Sequence, residues 1–238
     1  MDKNSFAFQA IGHIRSPFRE KFGIPRQPGL VTAAQVELWL SPQFSPAALS
    51  GLEGFSHLWL SFVFHQHLQR PWHERVRPPR LGGNEKVGVF ASRSPFRPNP
   101  IGLSVVPWHG WRQEQGQLVL SLGGADLLDG TPVLDIKPYI PFVDSLPEAK
   151  GGFAEQPPPL REVRFCPEAL QQLQHWQQQY PQLLELVRQI LAQDPRPAYQ
   201  QQDEREYGVL VYQLNVRFRS QGQALEVTGV QPLAESAS

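Results

Sequence analysis

The chain has 238 residues, of which 40% are hydrophobic, with 22 basic side chains balanced by 22 acidic ones. Its length allows one large domain or two small ones, and its apolar content excludes wholesale disorder. A formal charge of zero excludes coating nucleic acid by bulk charge but leaves room for a local basic site.

The opening MDKNSFAFQ has no apolar signal core, and no apolar run approaches the ~20 residues of a bilayer span. A soluble, cytoplasmic protein with no membrane partner is expected. Phe6–Ile14 has short strand character and runs into an arginine-proline segment in which Pro25, Arg26, Gln27, Pro28 and Gly29 form a stiff loop. Val36, Leu38 and Leu40 alternate with Glu37 and Trp39, the pattern of a strand with one wet face. Ser45–Leu52 suits a helical turn opened by Pro46. Leu58–Phe64 is nearly all apolar, as in a strand buried on both faces. It ends in His65, Gln66 and His67, where a rigid scaffold can carry a site. Four histidines fall between His57 and His73, but no cysteine or carboxylate pair accompanies them, so no metal is expected.

Arg70–Arg97 holds seven basic residues against Glu74 and Glu85. Six of the seven are arginine, whose fork matches phosphate and carboxylate. Arg77 and Arg80 are the candidate RNA contacts within this tract, although a solvated face would have a similar composition. Lys86–Ala91 reads as a strand that delivers RSPFRPNPIGLS, residues Arg93–Ser104. Pro95, Pro98 and Pro100 make that connection stiff and non-helical, and push the residues before them into extended conformations. Arg93, Arg97 and Asn99 project from it. Either it is an ordinary proline-rich turn or a loop that holds a polar ligand.

Leu103–Trp111 and Gln117–Leu122 form an expected hairpin. Asp126, Asp129 and Asp135 follow within ten residues, with Lys137 and Tyr139 just beyond. Asp129-Gly130 is a turn pair, and Val133–Lys137 resumes as a strand. Asp135 sits between Leu134 and Ile136, where a carboxylate needs a partner, and Lys137 on the same face is the obvious one. These aspartates are either turn formers or acid/base and ligand groups.

Residues 141–160 read as an irregular linker. Pro167–Gln179 and Pro181–Gln193 read as two helices, each opened by a proline. A strand carries Leu210, Tyr212, Leu214, Val216 and Phe218 on one face, and a turn at Gln221–Gln223 leads to Leu225–Val230. The single cysteine, Cys166, rules out an intrachain disulfide and fits a reducing compartment. There is no G-x-G-x-x-G opening a helix, no Walker loop and no G-x-S-x-G. The expected architecture is a β-rich domain over residues 1–150, barrel or sandwich, followed by a small α+β domain over 161–238.

With these stretches in place, the sequence resembles the TsaA-like family of tRNA methyltransferases. The likeness is carried by IGHIRSP, EKFGIPRQPGL, GLEGFSHLW, FVFHQ, VRPPRLGGN, GVFASRSPFRPNPIG, DLLDGTPVLDIKPY, QDPRPAY and LNVRFR. The resemblance implies a β-barrel methyltransferase that forms a homodimer. It implies S-adenosylmethionine as cofactor and threonine tRNA as partner, methylated on N6 of threonylcarbamoyladenosine 37 beside the anticodon. Cofactor contacts are implied at Pro25, Arg26, Gln27, His65, Gln66, Arg93, Leu103, Asp126, Leu127, Leu128 and Asp129. Asn99, Asp135, Lys137 and Tyr139 are the candidates for handling the acceptor's proton, while Arg97 or Lys137 would meet its threonyl carboxylate. Arg196 and Tyr199 are implied on the tRNA side. The alternatives are a noncatalytic RNA-binding protein and a related methyltransferase with another acceptor.

Overall fold

The computed structural model describes residues 5–82, 85–196 and 205–233. The first half contains β1 (Gly12–Arg15), β2 (Gln35–Leu40), β3 (His57–Val63), a two-residue ribbon of β4 (Arg75–Val76) and β5 (Val87–Gly88), β6 (Ile101–Glu114), β7 (Gln117–Gly123) and β8 (Pro132–Pro138). Six of these pair in the order β1-β2-β7-β6-β3-β8, and β8 returns to β1, so the sheet closes into a barrel. Closure leaves no unpaired strand edge in this sheet.

Side-chain alternation fills the barrel. Leu58, Leu60 and Phe62 of β3 point in with Val36, Leu38, Val106, Leu120 and Leu122, while Trp59, Ser61 and Val63 face out half-buried. The expected two-sided burial of β3 is therefore replaced by one dry face and one that is partly covered. Trp39 also departs from the expected wet face of β2: it is 6% exposed, with the Arg15 guanidinium 3.5 Å from its ring centre. Gly102 faces Phe62 across the pair, and a Cβ there would come within 2.2 Å of the ring. The strand expected at 86–91 shrinks to β5 and a 3-10 turn, because Ser92 Oγ folds back to donate to the Val89 carbonyl.

A one-turn α1 (Pro141–Asp144) precedes β9 (Glu162–Phe165), α2 (Pro167–Trp176), α3 (Leu183–Ala192), β10 (Glu206–Val211), β11 (Leu214–Gln221) and β12 (Ala224–Pro232). The last three strands form a sheet with β9, which adds parallel to β12. Leu173, Leu186, Val187 and Ile190 pack on Val209, Val216, Phe218 and Val227. α3 starts two residues after Pro181, with Gln182 as its N-cap. The single strand expected across 210–218 is instead two strands joined at Tyr212 and Gln213. Tyr212 adopts φ +54°, a conformation that normally signals Gly or Asn. Its ring stacks on Tyr180 at 4.1 Å, and its N–H donates to the Pro17 carbonyl, so packing overrides the missing turn signal. Among the described residues no helix is long and apolar enough to cross a membrane.

The chain crosses between the two bodies early. Phe18, Val31, Ala33 and Ala34 precede most of the barrel in sequence yet bury in the second core. Phe18 bridges Val211, Leu210 N–H donates to Glu20, Ala33 N–H donates to Gln189, and Gln193 donates to the Leu30 carbonyl. Phe18 is 2% exposed, so Phe18→Ala should cost about 3–5 kcal/mol of unfolding free energy. Urea unfolding measures this; a loss below about 1 kcal/mol would show that the second core does not hold the 18–34 arm.

Candidate functional site

An open cleft of about 640 Å³ lies against the outside of the barrel where four segments converge. Pro25, Arg26 and Gln27 come from the arm that crosses to the second core, and His65, Gln66 and His67 from the 3-10 turn capping β3. The proline-rich loop supplies Arg93, Pro95, Arg97 and Asn99, and Ile101 and Leu103 continue from it along β6. Asp126, Leu127 and Leu128 close the far wall.

Each segment is fixed by local chemistry. The three prolines of the loop cannot donate hydrogen bonds, so it cannot join the sheet. Its remaining donors turn inward: Ser94 N–H to Ser92 Oγ, Phe96 N–H to Ser94 Oγ, and Arg97 to the carbonyls of Ser92 and Ser94. Phe96 then presses its ring against His67, at 4.8 Å and nearly perpendicular. Across the cleft Arg93 donates to the side-chain oxygen of Gln27, tying loop to arm. Gly29 N–H reaches the Gly124 carbonyl at 2.7 Å and ties the arm to the far wall.

Several ionisable groups here are shifted. Burial pushes the Asp126 carboxyl above its ordinary range, opposed by Ser104, which donates to it at 2.7 Å, and by the Arg93 charge. Burial also lowers His65, with Lys21 and His13 adding to the effect. For His67 burial, then Lys21, Arg70 and His65 bring the imidazole down to about 4, so it is neutral at pH 7. Arg26 is lowered by burial, and the Asp194 charge works against that shift. Among the described residues no three His, Cys, Asp or Glu side chains converge to hold a metal ion.

The arrangement of apolar walls, arginines and one buried carboxylate suits an organic ligand with an anionic end. Comparison with known proteins identifies the scaffold. The family model for the tRNA-methyltransferase O N-terminal domain matches residues 13–145, and the TrmO C-terminal domain matches 158–233. The chain belongs to the TrmO family. It is 49% identical to the tRNA (adenine(37)-N6)-methyltransferase of Escherichia coli (strain K12), covering 96% of this chain and 99% of that one. A putative S-adenosylmethionine-dependent methyltransferase, RcsF, of Pseudomonas aeruginosa is 52% identical over 87% of this chain and 90% of its own. The crystal structure of TrmO from Pseudomonas aeruginosa superposes with a TM-score of 0.81 at 42% identity, covering 95% and 98% of the two chains.

In this member of the family the cleft gathers ten of the eleven residues at which the resemblance implies cofactor contact, together with Asn99 and Arg97. Asp129 is the exception. Its carboxylate turns away to pair with Arg19 and to accept from Ser16 N–H, in a separate groove between the two bodies. Asp135 and Lys137 pair with each other, as their shared strand face required, but they do not line the cleft. Asp135, Ser61 and Leu103 are register partners across β8, β3 and β6. The carboxylate thus sits two strand spacings, roughly 10 Å, from the Leu103 wall on the same outer face. Tyr139 stacks obliquely on Trp59 and His57 beside that face.

The residues assigned to RNA are scattered. Arg77 is exposed, whereas Arg80 donates to the Gln156 carbonyl. Arg196 is not a surface reader: it is 4% exposed and grips Asp194 through two hydrogen bonds. Tyr199 lies outside the described residues. The sequence reading passed over Lys21, Trp59 and Ser104, and weighed His67 as a strand-end site residue and a metal ligand without giving it a role of its own. Lys21 lies inside the EKFGIPRQPGL stretch at the end of the charged run Arg19-Glu20-Lys21, whose mixed signs and lack of periodicity do not single it out.

His67 has a measurable acid signature. It binds fewer protons folded than unfolded, so its contribution to stability is complete above pH 6.5 and lost as pH falls from 6.5 through about 4. His67→Phe should therefore flatten this part of the stability profile. Urea melts of both proteins between about pH 7 and pH 4.5 check this, and parallel profiles would refute it.

Proposed function

We propose that this chain transfers a methyl group from S-adenosylmethionine to N6 of adenosine 37 in tRNA, and that its acceptor is threonylcarbamoyladenosine in threonine tRNA. The observation that carries the reading is the convergence of Arg26, Gln27, His65, Arg93 and Asn99 on one cleft in a TrmO-family chain. A volume of about 640 Å³ is within the ~300–1,000 Å³ common for cofactor pockets. The names of the tRNA (adenine(37)-N6)-methyltransferases among its relatives support the chemistry, and cytoplasmic action follows from it.

The cofactor residues fit such a donor. Arg26 and Arg93 offer charge to a carboxylate, Ile101 and Leu103 offer apolar cover, and the backbone at 126–128 offers polar groups to an adenine edge. When bound, the donor supplies a methyl already activated on a sulfonium. What remains for the chain is alignment and proton handling. Methylation of an N6 bearing one hydrogen requires that hydrogen to leave as a proton, so an acceptor must stand within reach. The Asn99 amide oxygen can orient that N–H, and the Asp135 carboxylate, held by Lys137 and flanked by Tyr139, can take the proton.

Asp135 reaches such a position in a homodimer whose partner covers the outer barrel face. Phe142, Val143 and Leu146, in and just after the α1 turn whose Asp144 accepts from Trp59 on that face, are exposed by 89, 56 and 71%, apolar surface that favours burial. The base then comes from one subunit and the cofactor cleft from the other. Arg77 supplies phosphate contact at the rim.

Two experiments test this reading. Purified protein with S-adenosylmethionine should add one methyl group to threonylcarbamoyladenosine 37 of threonine tRNA by mass spectrometry, and Arg77→Ala should raise the KM for tRNA while leaving that for cofactor unchanged. Transfer to unmodified adenosine alone would shift the acceptor, and binding of tRNA without any transfer would favour a noncatalytic RNA-binding role. Second, mixing inactive Arg93→Ala and Asp135→Asn proteins should restore roughly a quarter of wild-type activity, because random pairing rebuilds one intact shared site in each heterodimer. No recovery would mean that each site is built from a single chain.

A further inference from the structure

We propose that Lys21 is a ligand-binding residue of the cleft that takes a carboxylate, and that His67 positions it. The inference rests on the methyltransferase reading and adds a cation to it. Lys21 lines the cleft with its Nζ 3.1 Å from Nε2 of His67. Among the described residues it forms no ion pair. Of the cleft's other cations, Arg97 is taken up within its own loop by the carbonyls of Ser92 and Ser94, whereas Arg93 gives one donor to Gln27 and still brings its charge to the carboxylate that Lys21 would help to hold.

His67 is a fixed acceptor. It is 7% exposed, with the rings of Phe96 and Phe64 edge-on to it at 4.8 and 6.4 Å, so it cannot swing aside without opening the loop. Held neutral, the imidazole accepts a hydrogen bond from the ammonium without cancelling its charge. Although its side chain reaches solvent, partial desolvation at the cleft wall and then the nearby Arg70 pull Lys21 below its ordinary lysine value, and among the described residues no acidic side chain offsets them. An incoming anion therefore gains an interaction that the protein leaves unfilled.

The ligand chemistry is a carboxylate, because both reactants of the proposed reaction carry one into the cleft: the amino-acid end of the donor and the threonyl group of the acceptor. A lysine is a point charge that discriminates little between carboxylate and phosphate, so the choice rests on what the two reactants carry to the reacting centre. Lys21 is exposed, so Lys21→Met should fold, and its thermal midpoint confirms this.

Calorimetry on the full chain uses S-adenosylhomocysteine and 5′-methylthioadenosine, which lacks the amino-acid end. If the donor supplies the carboxylate, Lys21→Met loses about tenfold or more in affinity for the first and stays within about twofold for the second. If the acceptor supplies it, both affinities are kept and the KM for threonylcarbamoyl tRNA rises about tenfold instead. Either result supports the inference. No change in any of the three, or equal losses for both nucleosides, overturns it. His67→Phe should shift the same parameter as Lys21→Met, and His67→Gln, which keeps an acceptor, should restore it. A His67→Phe protein that matches wild type removes the positioning role. Wild-type protein that fails to bind S-adenosylhomocysteine defeats the methyltransferase reading itself, and the inference with it.

Discussion

Phe18 follows directly on the first barrel strand, yet its ring lies among Val209, Val211 and Phe218 of the other body. Burying a phenylalanine side chain is worth a few kcal/mol, and here that energy fixes the start of the arm carrying Pro25, Arg26 and Gln27. Val31, Ala33 and Ala34 fix its end in the same core. The 25–27 loop is thus suspended between two anchors in the second body and is tied to the first through Gly29 and Gln27. Without the second core, the arm would expose apolar residues and the near wall of the cleft would have no support.

The opposite wall depends on a different economy of hydrogen bonds. A segment with three prolines has few donors, and the serines and Arg97 close the rest locally, so the loop keeps its shape without sheet partners. Arg97 thereby serves the architecture of the loop, which the sequence pattern could not distinguish from ligand contact. Phe96 links this wall to His67, and His67 links it to Lys21 of the arm. A neutral imidazole is well suited to such a joint: it orders an ammonium group without cancelling its charge.

How much of this was legible in the sequence depends on which interactions were local. The hairpin of β6 and β7, the Asp129-Gly130 turn and the Asp135–Lys137 pair were readable because their causes lie within a few residues. The convergence of the cleft segments came from resemblance, since no periodicity brings residue 26 beside residue 93. Burial of Arg196 was not legible because arginine beside proline looks the same whether it faces solvent or clasps Asp194. Nor was the turn at Tyr212, where a stacked ring and one long-range hydrogen bond impose a conformation that the residue disfavours. The split of strand 210–218 and the early crossing of the arm meet at one place, where Tyr212 N–H donates to the Pro17 carbonyl beside the buried Phe18, and neither is local in sequence.

The tie between Glu20 and Leu210 spans 190 residues, and this separation has a consequence for biosynthesis. A ribosome releases the arm long before it releases the strands that will bury it. The barrel's other strands can pair as they emerge, but the near wall of the cleft has to wait for β10 and β11. Contacts so distant in sequence are slow to form, and they form last when synthesis runs from the N-terminus. A truncated product ending before those strands would carry every lining residue of the cleft, from Lys21 to Thr131, and still lack a finished wall. The finished cleft is therefore a late product of synthesis, in an order set by the chain alone.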